Sequence, residues 1–221
     1  ISYGGMWVFG NRTKVGFNVF EPYRGGESGF LLCQLLRVYK QLFNISYFEV
    51  EPFQFGADNE DAIASGAFWF YYRFGFRPVD KEICKQAELE QQKIKSRKNY
   101  RSSAKTLVGF TGGNIALNLG NSIPADVIQI STQVLSSIKK DWKNNYQQAR
   151  KQAVERFCKL VQLNINSLSA MEIKIMEDLA LWAMAMQVTN KQKLQLMKQM
   201  VFTSTTDIYA YQDLLRKFFK K

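Results

Sequence analysis

The hydrophobic pattern changes period along the chain, and each change marks an element. Residues 6–9 and 14–20 are rich in β-branched and aromatic side chains. Val15, Phe17 and Val19 alternate with smaller or polar neighbours, so they share one face of a strand. Asn11, Arg12 and Thr13, between the two runs, predict a hairpin loop. Pro22 and the pair Gly25-Gly26 end the second run. From residue 30 to 43, Leu31, Leu32, Leu35, Leu36, Val38, Tyr39, Leu42 and Phe43 recur at helical spacing and predict a helix with a wide buried face. Residues 47–51 alternate again and stop at Pro52. There Phe48 and Val50 point inward, with Glu49 and Glu51 on a solvated face. Residues 62–74 predict a second helix, ended at Gly75 and closed by Arg77-Pro78. A short extended piece follows at 76–79.

The pattern then becomes helical. Residues 81–100 predict a charged, solvated helix. Residues 102–121 fit no single period and break at Gly112-Gly113. Three or four helices follow near 124–140, 142–164, 168–200 and 204–220, with Ser169 as an N-cap and Glu172 in the turn after it. Ten of the fourteen glycines lie in residues 1–80 and none follows Gly120. Long glycine-free stretches rich in Lys, Gln, Leu and Met favour helix. The expected organisation is an α/β unit at 1–80, a connecting helix and loop at 81–123, and an all-α basic helical domain at 124–221.

Composition narrows the chemistry. At 221 residues, 46% hydrophobic and 22% charged, the chain has ordinary globular usage. The longest apolar run, residues 67–72, is far below the roughly 18 residues of a membrane span. Three widely spaced cysteines, Cys33, Cys84 and Cys158, fit neither a disulfide framework nor a cysteine-rich zinc site. They point to a reducing compartment, and a cytoplasmic location is expected. The absence of histidine excludes Ser-His-Asp and Cys-His catalysis and every His-ligated metal. Charge is uneven. Residues 1–80 carry 7 Lys+Arg against 8 Asp+Glu, and residues 81–221 carry 23 against 11. The chain opens on Ile1 rather than Met and reads as a fragment or a trimmed chain, whose function would draw on residues outside it.

The stretch with the clearest chemistry joins the second strand to the first helix: Val19-Phe20-Glu21-Pro22-Tyr23-Arg24-Gly25-Gly26-Glu27-Ser28-Gly29. Glycines there let the backbone turn tightly and approach a ligand. The N–H groups and positive dipole end of the following helix would face an anion, and Arg24 adds charge. It is neither a Walker loop nor GxGxxG. A structural strand-to-helix turn is the plain alternative.

The second stretch is Ala67-Phe68-Trp69-Phe70-Tyr71-Tyr72-Arg73-Phe74-Gly75-Phe76. Ala67, Tyr71, Gly75 and Phe76 resemble the closing helix of the GNAT acetyltransferase superfamily, where an Ala, a Tyr and a Gly-Phe recur at these spacings. The loop resembles the family's Gln/Arg-x-x-Gly-x-Gly/Ala pattern, with Arg24 and Gly29 in its first and last places. The resemblance covers about residues 6–79, and the order strand, loop, helix, strand, helix agrees. It implies a mixed sheet of GNAT type, incomplete at its N-terminal side. It also implies acetyl-CoA as cofactor, its pyrophosphate on Arg24, Gly25, Gly26, Ser28 and Gly29, and its pantetheine arm along the strand near Val19. Tyr71 would protonate the leaving thiolate. Glu21, Glu49 and Glu51 are the available bases, and Glu49 is preferred. The acceptor would be an amine on a small molecule or a protein. Two departures stand out: Glu27 replaces the family's middle glycine, and Ala64 replaces the Asn that often opens the last helix.

Plainer readings accompany these. Tyr71 sits among aromatics and would serve as core. Glu49 and Glu51 would be a solvated strand face. Lys139, Lys140, Lys143, Arg150, Lys151, Arg156 and Lys159 form one basic cluster, and Lys93, Lys95, Arg97, Lys98 and Arg101 another. With Tyr100, Trp142 and Tyr146 nearby, they would bind nucleic acid or form a solvated face. Met171, Met176, Met184, Met186, Met197 and Met200 read as helix core. Two functions follow: acyl transfer from acetyl-CoA to an amine, or a non-catalytic relative whose basic helices bind nucleic acid or a protein partner.

Overall fold

The computed structural model describes residues 2–23, 25–121 and 123–219. It forms two compact units, Ile1–Ile123 and Pro124–Lys221. The first is mixed α/β and the second is helical.

In the first unit, β1 (Ser2–Phe9) and β2 (Arg12–Val19) pair antiparallel. The hairpin turn is Gly10-Asn11 rather than 11–13, because Gly10 supplies the positive φ (+58°) that a two-residue turn requires. Strand β2 therefore begins at Arg12. The loop 20–26 leads into α1 (Glu27–Phe43), which buries Leu32 and Leu36 and ends at Asn44 in the left-handed region. Strand β3 (Tyr47–Val50) runs parallel to β2, as a helical crossover of this length allows. The predicted 62–74 helix is two helices, α2 (Glu60–Ser65) and α3 (Ala67–Arg73). Gly66 at φ +67° breaks the axis between them, and Asn59 caps α2.

Residues 81–123, expected to connect, belong to the first unit. After β4 (Arg77–Pro78) come α4 (Lys81–Ser96) and α5 (Ala104–Gly109), and then β5 (Ile115–Asn118) inserts between β3 and β4. The sheet order is β1-β2-β3-β5-β4, with β2 and β3 parallel and the other pairs antiparallel. One core covers a sheet face: Val15, Phe48, Val50 and Ile115 from the strands meet Leu32, Leu36, Phe68, Tyr71 and Tyr72 from the helices.

Helix α4 is not simply solvated. Glu90 is buried and takes hydrogen bonds from Tyr100 Oη (2.8 Å) and Lys93 Nζ (3.0 Å), with Ser102 also donating. Ser102 Oγ in turn accepts from Trp69 Nε1 at 3.0 Å, tying this segment to α3. Burial raises the Glu90 carboxyl, and the three hydrogen bonds outweigh it, leaving its pKa below the ordinary value. A depressed carboxylate stabilises the fold fully above its unfolded pKa of about 4.3 and loses that contribution as pH falls through the folded pKa. Urea unfolding between pH 3 and 6 is expected to show this acid-side loss in wild type and a flatter profile in Glu90→Gln.

The second unit contains α6 (Val127–Trp142), α7 (Tyr146–Val161), α8 (Ala170–Ala185), α9 (Lys191–Thr203) and α10 (Ile208–Phe219). The predicted 168–200 helix is divided. Gln187 takes a positive φ (+50°), and Asn190 then caps α9. Ser169 and Glu172 form a capping box on α8. Ala149, Ala153, Phe157 and Val161 form the buried apolar face of α7, which packs chiefly on α8. Met176, Met197 and Met200 are core, whereas Met171 and Met186 are exposed. Among the described residues no helix is long and apolar enough to cross a membrane.

Candidate functional site

The loop after β2 and the first turn of α1 enclose an open depression of about 270 Å³, lined by Val19, Pro22, Tyr23, Gly25, Gly26, Glu27 and Leu31. Three residues expected to hold a cofactor, Val19, Gly25 and Gly26, are therefore in its wall. Arg24 lies outside the described residues. The turn closes on itself: Ser28 N–H donates to Gly25 O at 3.2 Å, and Gly25 N–H reaches Ser28 Oγ at 3.5 Å.

The three loop glycines do different things. Gly29 is closely packed: a Cβ there would stand 2.5 Å from the Phe74 ring, which would have to shift. Gly25 and Gly26 are not. A Cβ at either would meet nothing within 4 Å, and Gly26 has ordinary helical φ and ψ (−58°, −26°). Among the described residues no side chain caps α1, and the Ser28 N–H is taken by Gly25 O. Glu27 places a carboxylate in the wall of the depression.

Strand β3 ends at Val50, so the C-terminal half of β2, which leads to the depression at Val19, runs on past its partner. β2 pairs with β3 only at Arg12–Lys14, opposite Tyr47–Glu49. Further along, the Phe17 N–H donates to Gln54 Oε1 at 3.3 Å, on the turn after β3.

The two expected catalytic residues are not brought together. Tyr71 is 2% exposed, packs its ring against Phe70 and Phe76, and belongs to the core shared with Phe48 and Val50. Burial pushes its phenol well above the usual tyrosine value and keeps it protonated. Glu49 alternates with Phe48 and Val50, so it lies on the opposite face of the sheet. It is not on a solvated face; it is 3% exposed. Its Oε2 takes Arg12 Nη2 at 2.7 Å and Nε at 3.2 Å, and its Oε1 takes Asn114 Nδ2 at 2.9 Å. The carboxylate thus bridges β2, β3 and the residue before β5. Glu51 pairs with Lys14 at the surface. Glu21 is exposed beside the loop.

Family models, curated proteins and solved structures give no match to the chain. The chemistry accordingly rests on the geometry. Among the described residues no cluster of His, Cys, Asp and Glu could hold a metal.

On the helical unit, Lys139, Lys140, Lys143, Lys151, Arg156 and Lys159 are exposed and form no ion pair among the described residues, while Arg150 pairs with Glu177 at 3.1 Å. The aromatics expected to stack on bases are engaged within the chain. Trp142 Nε1 donates to Gln152, Arg150 lies over Tyr146, and Tyr100 is bonded to Glu90. Sequence reasoning missed Gln54, Arg12 and Asn114. The first is a lone polar residue in an aromatic turn. The other two meet Glu49 from 37 and 65 residues away.

Proposed function

We propose that the first unit is a GNAT-like module that binds acetyl-CoA and transfers its acetyl group to an amine. The observation that carries this reading is the coincidence of two features on one strand. A helix N-terminus with no side-chain cap among the described residues, lined by glycine backbone, lies at the end of β2, and the half of β2 that leads to it has no β3 partner. The first suits a pyrophosphate, and the second opens a strand edge to an amide-bearing arm. In the reaction the amine nitrogen attacks the thioester carbonyl, the C–S bond breaks, the amine loses a proton and the thiolate gains one.

The test is calorimetric titration of the chain with acetyl-CoA, free CoA and ATP. Selective binding of both CoA species supports the reading, and equal or absent binding of all three overturns it.

Tyr71 is the proposed proton donor. General acids contribute roughly 10²–10⁴-fold. A phenol raised by burial is poorly matched to a thiol of ordinary pKa about 8.5, so its share is smaller. Tyr71→Phe is expected to lower turnover about tenfold with little change in acetyl-CoA affinity, measured by steady-state acetyl transfer. Equal turnover removes Tyr71 from the chemistry.

The separation of Tyr71 from Glu49 favours a second reading, in which the unit binds a CoA species without catalysing transfer. The helical unit would then carry the function through its unpaired lysines. Nucleic-acid binding that falls steeply with salt would support that reading.

A further inference from the structure

Where β2 parts from β3, a side chain has taken up a backbone donor of β2. Phe17 lies three residues past Lys14, the last paired position, and donates its N–H to Gln54 Oε1. A backbone N–H only donates, so the amide oxygen of Gln54 must face it. The amide nitrogen sits on the same terminal carbon and keeps two N–H donors, which have no partner among the described residues. Gln54 is half-buried, and its turn is firmly built. Phe55 is fully buried, Ala57 N–H donates to Pro52 O at 3.0 Å, and Asn59 Nδ2 donates to Phe53 O at 2.9 Å. Gly56 holds φ +137°, where a Cβ would strike Ile63. The side chain is therefore presented from a fixed platform.

Phe17 and Val19 are two residues apart on one strand, about 7 Å at the rise of a strand. Val19 lines the depression. A ligand anchored there by its anionic end, with an extended arm along β2, brings carbonyl oxygens to Gln54. We propose that Gln54 donates its amide N–H groups to a carbonyl of such an acyl-thioester arm, while Phe17 holds the amide in the orientation that frees those donors. This rests on the acetyl-CoA reading above.

Two substitutions separate ligand binding from a purely structural tie. Gln54→Glu keeps an acceptor for the Phe17 N–H but brings no donor. Gln54→Met is neutral, similar in length, and has neither. One hydrogen bond corresponds to about five- to tenfold in affinity. Titration with acetyl-CoA is expected to show a loss of that size in both variants, with the ligand-free melting midpoint of Gln54→Glu near wild type. Loss in Gln54→Met excludes charge repulsion as the cause. If Gln54→Glu or Gln54→Met binds like wild type, Gln54 does not donate to the ligand and the inference is overturned while the acetyl-CoA reading stands. If wild type binds no CoA species, both fall together.

Discussion

Glu49→Ala is expected to destabilise the first unit by about 3–5 kcal/mol, the usual result of removing one partner from a buried ion pair. The side chains of Arg12 and Glu49 are 11% and 4% exposed. Alanine leaves a guanidinium without its carboxylate in a place water barely reaches, and Asn114 Nδ2 loses its acceptor. The loss lies in taking the carboxylate away from a buried charge rather than in the worth of the pair. Replacing both partners, Arg12→Met with Glu49→Leu, is therefore expected to recover most of the stability. Urea unfolding of the two singles and the double checks this. The same series decides between tether and general base. A base that is not also a tether would lose turnover with its unfolding midpoint intact; the tether predicted here loses the midpoint first. Glu49 joins β2 to β3 and to the lead-in of β5, next to the point where β2 and β3 separate, so loosening it also disturbs the strand edge proposed to carry the ligand.

Much of this arrangement was legible where the signal is local. Alternation at 15–19 and 48–50, the apolar face of residues 30–43 and the glycine loop between them each depend on neighbours within a few residues, and each appears where the pattern put it. Breaks carried by one residue were harder. Gly66 splits a run whose apolar spacing continues through it, because a positive φ turns the axis without changing the pattern. Gln187 does the same with no glycine to signal it. Strand β5 is only four residues long, too short for a period to emerge, and its place between β3 and β4 follows from pairing across the sheet rather than from its own sequence. Glu49 shows the limit most clearly. Alternation put it correctly on the face away from Phe48, but only the pairing of β2 with β3 brings Arg12 beside it and turns a solvated face into a buried bridge. The candidate site divides along the same line. The glycine loop after β2, proposed to hold the anion, is one continuous segment, whereas Gln54 reaches Phe17 from 37 residues away.

Gly26→Asp is expected to move stability and ligand affinity in opposite directions. Gly26 is the N-cap of α1 and offers no side-chain acceptor. An aspartate there has open space, since a Cβ meets nothing within 4 Å, and no positive φ opposes it. At these helical dihedrals its carboxylate complements the positive end of the helix dipole rather than capping first-turn N–H groups. The gain is a few tenths of a kcal/mol. The same carboxylate enters the depression that is proposed to hold a pyrophosphate. Two unit charges 4 Å apart at an effective dielectric near 20 repel by about 4 kcal/mol, and partial exposure to water reduces this. A loss of at least about a hundredfold in acetyl-CoA affinity is expected, together with an unchanged or slightly higher melting midpoint. Glu27→Gln is the reciprocal arm. It removes a carboxylate that already lines the depression and should tighten binding severalfold. Titration of the three proteins at two salt concentrations separates the outcomes, because repulsion between exposed charges weakens as salt rises. If Gly26→Asp binds acetyl-CoA as wild type does, the depression at the start of α1 is not where the anion sits, even though the helix N-terminus faces it.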